Sequence, residues 1–225
     1  MIKIKKGREP YKLLQYRQQL GAAYEQMDKE VKDDLLARLL QEQGHICAYC
    51  MKRIPENRKL PIGVAPVTIE HWYPRNPESK GDIGQGLDYK NMLAVCSGNR
   101  GCGNREAMTC DARRGNDSIK VNPCDAETLY GITYTSSGII KSSDPEIDAD
   151  INERLNLNSE ISSLPENRKR VLQTLIDYVS KKHGTGDISL YCRRKLEKIR
   201  EIDDPKMPYV GIVIWWLEKH AGIWQ

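Results

Sequence analysis

The sequence predicts an α+β protein in which helical flanks enclose a short-stranded middle held together by a metal. Three observations carry this. Apolar residues fall at helical spacing before residue 44, and again after DPEID at 144–148. Between them, residues 44–123 are dense in Gly, Pro, Asn and Cys and have little helical periodicity. The chain therefore divides into an N-terminal helical segment (1–43), a cysteine-bearing core (44–123), and a hairpin followed by C-terminal helices (124–225).

Within 10–27, Leu13, Leu14, Leu20, Ala23 and Met27 are spaced roughly as on a helix. Residues 29–43 place Val31, Leu35, Leu36, Leu39 and Leu40 on one face, and Gly44 is a good stop. The 44–123 stretch is expected to bury little apolar surface and so to need a staple. ETLYGITYTSSGIIKSS (127–143) alternates around Gly131 and SSG as a hairpin would. Pro165 suits the first turn of a helix running to about Lys182 and ended by Gly184. Further helices are expected at 187–202 and 208–221, where Trp215, Trp216 and Trp224 sit among aliphatics as core residues.

At 225 residues, 39% hydrophobic and 29% charged, the chain has the composition of an ordinary globular protein. Its longest apolar run, YVGIVIWWL (209–217), is half the length a bilayer requires, and the basic start MIKIKKGR lacks the apolar stretch of a signal peptide. The expectation is a cytoplasmic protein with reduced cysteines and no membrane contact. The net charge of +4 is unevenly spread: residues 1–123 hold 21 Lys/Arg against 15 Asp/Glu, whereas 124–225 hold 14 against 16. The basic excess lies in the cysteine-bearing half, a mild polyanion signal.

HICAYCMKR contains Cys47-x2-Cys50, a knuckle whose two sulfurs can point at one ion. The residues alone leave the other half open among Cys96, Cys102, Cys110 and His45. No thioredoxin-like βαβ pattern surrounds the knuckle, which disfavours a redox pair. Cys124 and Cys192 are isolated.

VTIEHWYPRN (67–76) places Glu70 and His71 side by side at the end of a short apolar strand. That is a costly location for a carboxylate and an imidazole unless they do chemistry. With a free pKa of about 6.5, a histidine can accept a proton near neutrality.

Taken together, Cys47/Cys50, Glu70-His71, Asn91 in LDYKNMLAVC, Cys96, and CDARRG at 110–115 resemble the HNH (ββα-metal) endonucleases, whose core is treble-clef-like. The spelling of HICAYCMKRI, IEHWYP, LDYKNMLAVC and LNLN (155–158) is similar to the PtuB nucleases of Septu-type and retron-associated anti-phage systems. The motif region covers about a third of the chain, and LNLN with the C-terminal helices extends the likeness over most of it. The sequence departs from the family in two ways. Glu70 stands where many members have Asp, and thirteen residues separate Cys96 from Cys110 where the closing pair is usually tight.

The resemblance implies a metal-dependent nuclease cutting phosphodiester bonds, with DNA favoured over structured RNA such as tRNA. Its structural zinc would be held by Cys47, Cys50, Cys96 and Cys110. Cys110 is favoured over Cys102 because the family's ligand directly precedes the third motif residue, here Asp111. His71 is implied as general base, Glu70 and Asp111 as ligands of a catalytic Mg²⁺ or Mn²⁺, Asn91 as a loop brace, and Arg114 as a phosphate clamp. Arg113, Arg75 and Lys90 are implied as further backbone contacts. A PtuA-like ATPase partner in a hetero-oligomer is implied as well, docking on 124–225. The competing reading is a zinc-stapled nucleic-acid- or protein-binding module without activity.

Overall fold

The computed structural model describes residues 1–75, 86–184 and 186–223. Among these, the protein is a mixed α+β chain of eight α-helices and two small two-stranded sheets. The helix α1 (Tyr11–Arg17) is shorter than the 10–27 periodicity predicts: Gly21 takes a left-handed φ of 77° and Leu20 is fully exposed. The chain resumes a helical path in the 3₁₀ turn Tyr24–Gln26. The helix α2 (Lys29–Gln43) matches its expected bounds, burying Leu35, Leu39 and Leu40, and ends at Gly44 with φ 63°. A Cβ at Gly44 would stand 2.4 Å from Lys206 Cγ, so both conformation and space select glycine there.

Strand β1 (Val67–His71) pairs antiparallel with β2 (Met92–Cys96), in a register that sets Val67 opposite Cys96, Glu70 opposite Leu93 and His71 opposite Met92. Every residue of β2 is buried. The outer edge of β2 is capped by Gln43, whose side-chain amide donates to Ala94 O at 2.7 Å and accepts from Ala94 N–H at 2.8 Å, imitating a strand partner. Behind β2 comes the short helix α3 (Cys110–Arg114), so strand, strand and helix follow one another in the chain.

Contrary to expectation, the 44–123 segment contributes heavily to the core, with Ile46, Tyr49, Met51, Ile54, Tyr89 and all of Met92–Cys96 buried. The density of Gly, Pro and Asn that made it look poor in apolar burial belongs to its loops, and between them every residue of β2 is buried.

After α4 (Ala126–Leu129), the hairpin is shorter than predicted, β3 (Ile132–Tyr134) pairing with β4 (Ile140–Ser142). Helix was expected to resume after DPEID, but that stretch already forms α5 (Pro145–Ala149), which runs into a π-helical turn over Asp150–Arg154. Three helices close the chain: α6 (Leu164–His183), α7 (Ser189–Glu201) and α8 (Val210–His220). They join the same hydrophobic core as the N-terminal helices and the β1–β2 sheet. Trp216 is buried in that core and Trp215 partly so; Trp224 lies outside the described residues. No described helix is long and apolar enough to cross a membrane.

The LNLN element ties these layers together. Leu155 and Leu157 are fully buried. The Leu155 carbonyl accepts from Cys110 N–H at 2.9 Å, and Asn156 donates to the carbonyls of Glu106 and Met108, both at 2.9 Å. Asn158 pairs with both backbone groups of Ile140 on β4 and accepts from the buried Arg168 of α6. The element thus fixes the entry to α3 against the hairpin and α6.

Candidate active site and metal centre

Four cysteines converge from three places: Cys47 and Cys50 from the knuckle, Cys96 from the end of β2, and Cys110 from the start of α3. The knuckle is shaped by the bonds Cys47 N–H to Lys52 O at 2.9 Å and Met51 N–H to Cys47 O at 3.0 Å. All four are buried, and none is in a disulfide. Their sulfurs lie within 4.8 Å of one another, with Cys47–Cys110 at 3.8 Å, Cys50–Cys96 at 3.7 Å and Cys96–Cys110 at 3.9 Å. Four thiolates at a zinc–sulfur distance of about 2.3 Å would have sulfurs about 3.8 Å apart. The quartet can hold a metal ion and is compatible with zinc. Cys102 is exposed on its glycine-rich loop, outside the cluster, so Cys110 completes the set.

The electrostatics fit a cation. The surrounding sulfurs hold the Cys47 thiol well below its usual range against its burial; the neighbouring sulfurs and burial push Cys110 well above it, and Cys96 is pushed up by Cys47, Cys50 and burial against the opposing bond from Cys110. A bare quartet therefore resists full ionisation, and an ion at its centre would relieve that. The ammonium of Lys52 is raised by the charge of Cys96 and Cys50, although burial opposes this.

Because Cys110 and Asp111 are adjacent, the cysteine cluster sets the position of Asp111. The loop entering α3 is held closely: Thr109 N–H donates to Gly98 O at 2.9 Å, and a Cβ at Gly98, whose φ is 56°, would meet Thr109 O at 2.1 Å. Thr109, not Asp111, is the N-cap residue of α3, so the carboxylate of Asp111 is not consumed in capping.

Asp111 and Glu70 lie together. Burial and the Asp111 charge push the Glu70 carboxyl up to about 8, against the pull of Arg114. Glu70 is 7% exposed; its Oε1 accepts from the Arg114 guanidinium and from Tyr49 O–H at 3.3 Å. Two carboxylates crowded in this way favour a shared proton or a hard divalent cation, and this donor set fits Mg²⁺ or Mn²⁺.

His71, beside Glu70 at the end of β1, is 6% exposed. Its Nε2 lies 3.0 Å from the Gly86 carbonyl. A carbonyl only accepts, so Nε2 carries the hydrogen and the lone pair of the neutral ring falls to Nδ1. The ring of Tyr24 packs edge-on against the imidazole, centroids 4.6 Å apart at 89°.

Asn91, expected as a loop brace, bonds the backbone that follows His71. Its Oδ1 accepts from Tyr73 N–H at 2.7 Å, its Nδ2 donates to Tyr73 O at 2.9 Å, and its own carbonyl accepts from Trp72 N–H at 2.9 Å. The chain leaving His71 is clamped on both sides.

Arg114 requires a correction. Expected at the surface as a phosphate clamp, it is 2% exposed and committed inward. It donates to Glu70, to Tyr49 O–H, and to the carbonyls of His71, Trp72 and Asp117. A guanidinium so occupied cannot reach a phosphate; it anchors the end of β1 that carries Glu70 and His71. Of the other basic residues, Arg113 bonds Glu106 and the carbonyls of Arg105 and Glu153, and Arg75 pairs with Glu25 over the Tyr24 ring. The Lys90 residue is exposed.

Sequence reasoning missed Tyr24, Tyr49 and Arg100. The guanidinium of Arg100 reaches Asp111 Oδ2 at 2.6 Å from a loop that offered no periodic or motif signal.

No family model matches this chain, and no curated protein matches it.

Proposed function

We propose that this chain is a metal-dependent endonuclease of the HNH (ββα-metal) type. We further propose that it is the nuclease component of a cytoplasmic anti-phage complex with an ATPase partner. The observation that carries the nuclease reading is the pairing of Glu70 with Asp111 on a strand–strand–helix unit whose helix starts at Cys110 of the cysteine quartet, with His71 next to Glu70 at the end of β1. The PtuA-like ATPase, the hetero-oligomer and docking on 124–225 rest on the motif resemblance.

In this reading, zinc in the cysteine quartet is structural. Glu70 and Asp111 would hold the catalytic Mg²⁺ or Mn²⁺, which supplies charge neutralisation at the phosphate and the departing 3′ oxygen when bound. The Nδ1 of His71 takes the proton of a water whose oxygen bonds to phosphorus as the P–O3′ bond breaks. Asn91 and Arg114 hold the end of β1 so that this atom stays in place, and the Tyr24 ring limits rotation of the imidazole. Lys90, with Arg75 and Arg113, would contact the phosphate backbone, contacts that position a duplex without reading its sequence.

The test is cleavage of supercoiled plasmid and of tRNA by the purified protein, with and without its ATPase partner, in Mg²⁺ or Mn²⁺. Cutting that EDTA and Asp111→Asn both abolish supports the reading, and the preferred substrate separates DNA from RNA. Nucleic-acid binding without cutting of either substrate would favour the non-catalytic module.

A further inference from the structure

With Arg114 sealed inside, the proposed reaction has lost its expected phosphate clamp. The geometry points to Arg100 as the residue that fills this role; the inference rests on the nuclease reading above. Arg100 Nη2 lies 2.6 Å from Asp111 Oδ2, and its side chain is half exposed while that of Asp111 is one-fifth exposed. Among the described residues, it is the cation that pairs with a proposed metal ligand and also reaches solvent. Arg114, which bonds the other carboxylate of the pair, Glu70, has a side chain with no exposure at all.

The loop bearing Arg100 is fixed, while among the described residues its side chain bonds Asp111 alone. Arg100 N–H donates to Ser97 O at 2.9 Å, Asn99 donates to Ala107 O at 2.7 Å, and Arg58 donates to Ser97 Oγ at 3.2 Å and to Asn99 Oδ1 at 2.9 Å. The backbone is therefore preorganised beside Asp111. The guanidinium, whose one side-chain partner among the described residues is that carboxylate, can rotate without disturbing the fold.

The two roles follow from charge. Without a divalent cation, Arg100 neutralises Asp111 and so competes with the metal for that carboxylate. A divalent cation held by that carboxylate would release the guanidinium, leaving it free to pair with a bound phosphate. A planar fork then grips two phosphate oxygens where an ammonium would offer a point charge.

Removing the side chain should move two readouts in opposite directions. In Arg100→Ala loaded with zinc, Mn²⁺ affinity measured by electron paramagnetic resonance should rise by up to about fivefold, as expected for loss of a half-exposed ion pair. Single-turnover kcat/KM on a labelled DNA duplex should fall about 10²-fold. Arg100→Lys should recover only part of the cleavage. Unchanged Mn²⁺ affinity and cleavage in Arg100→Ala would overturn the inference, as would weaker Mn²⁺ binding accompanied by a lower Tm, the mark of a structural residue. If the wild-type protein cuts no nucleic acid, the nuclease reading fails and the clamp with it. The Mn²⁺ comparison would then still decide whether Arg100 competes for Asp111.

Discussion

The Arg114 guanidinium donates to the Glu70 carboxylate directly beneath the end of β1, and neither side chain is more than about a tenth exposed. Two further bonds from the same guanidinium, to the carbonyls of His71 at 3.1 Å and Trp72 at 2.6 Å, make it the anchor of the strand end that carries the proposed base.

Removing that anchor leaves Glu70 buried without its cation. We expect Arg114→Ala to cost about 3–5 kcal/mol in urea denaturation. Arg114→Lys should recover little, because an ammonium cannot reach Glu70, Tyr49 and three carbonyls together. A loss below 1 kcal/mol in Arg114→Ala would show that the anchor is dispensable.

The cysteine geometry separates Cys110 from Cys102 as ligands. Elemental analysis of wild type should find about one zinc per chain. Cys110→Ser should lose it and unfold the knuckle, because metal-binding free energy is folding free energy at such a site. Cys102→Ser should retain full zinc and an unchanged Tm.

The raised carboxyl of Glu70 gives a pH dependence with a definite sign. Its folded value of about 8 stands above its ordinary 4.5, so between those values the folded chain keeps a proton that the unfolded chain releases. Stability of cation-free protein should therefore fall as pH rises from about 5.5 to 8. A divalent cation takes the place of that proton, so saturating Mn²⁺ should flatten the fall. Mn²⁺ affinity should itself climb by up to about tenfold per pH unit until about 8. Thermal melts across this range, with and without Mn²⁺, test both statements.

Asn91 acts through the backbone of Tyr73 rather than through substrate. Asn91→Ala should lower kcat more than it raises KM and should cost about 1–3 kcal/mol of stability, the range for leaving buried backbone groups unsatisfied. A rise in KM alone would argue for direct contact with nucleic acid.

The sequence made the long elements legible because their signals are local. The periodicity of Val31–Leu40 with Gly44, and Pro165 with Gly184, located α2 and α6 to within a residue or two at each end. Cys47, Cys50, Cys96 and Cys110 could be chosen by their order in the motif, and the structure brings the four together. What failed was whatever depends on a partner distant in the chain. Arg114 carries no sequence mark of burial; its place is decided by Tyr49, Glu70, His71 and Trp72, more than 40 residues away. Gln43 looked like a helix end and serves as a strand partner for Ala94, 51 residues on. Tyr24 belonged to an expected helix that stops early, and its contact with His71 follows from that break.

The nuclease claim turns on His71. Its most direct measurement is single-turnover cleavage of duplex DNA in Mg²⁺ or Mn²⁺ by wild type and His71→Ala, each with the ATPase partner and each verified for zinc content and Tm. The account predicts that His71→Ala keeps its zinc and its fold while its cleavage rate falls by about 10²–10⁴-fold, the range for loss of a general base. Cleavage by folded His71→Ala at the wild-type rate would contradict it.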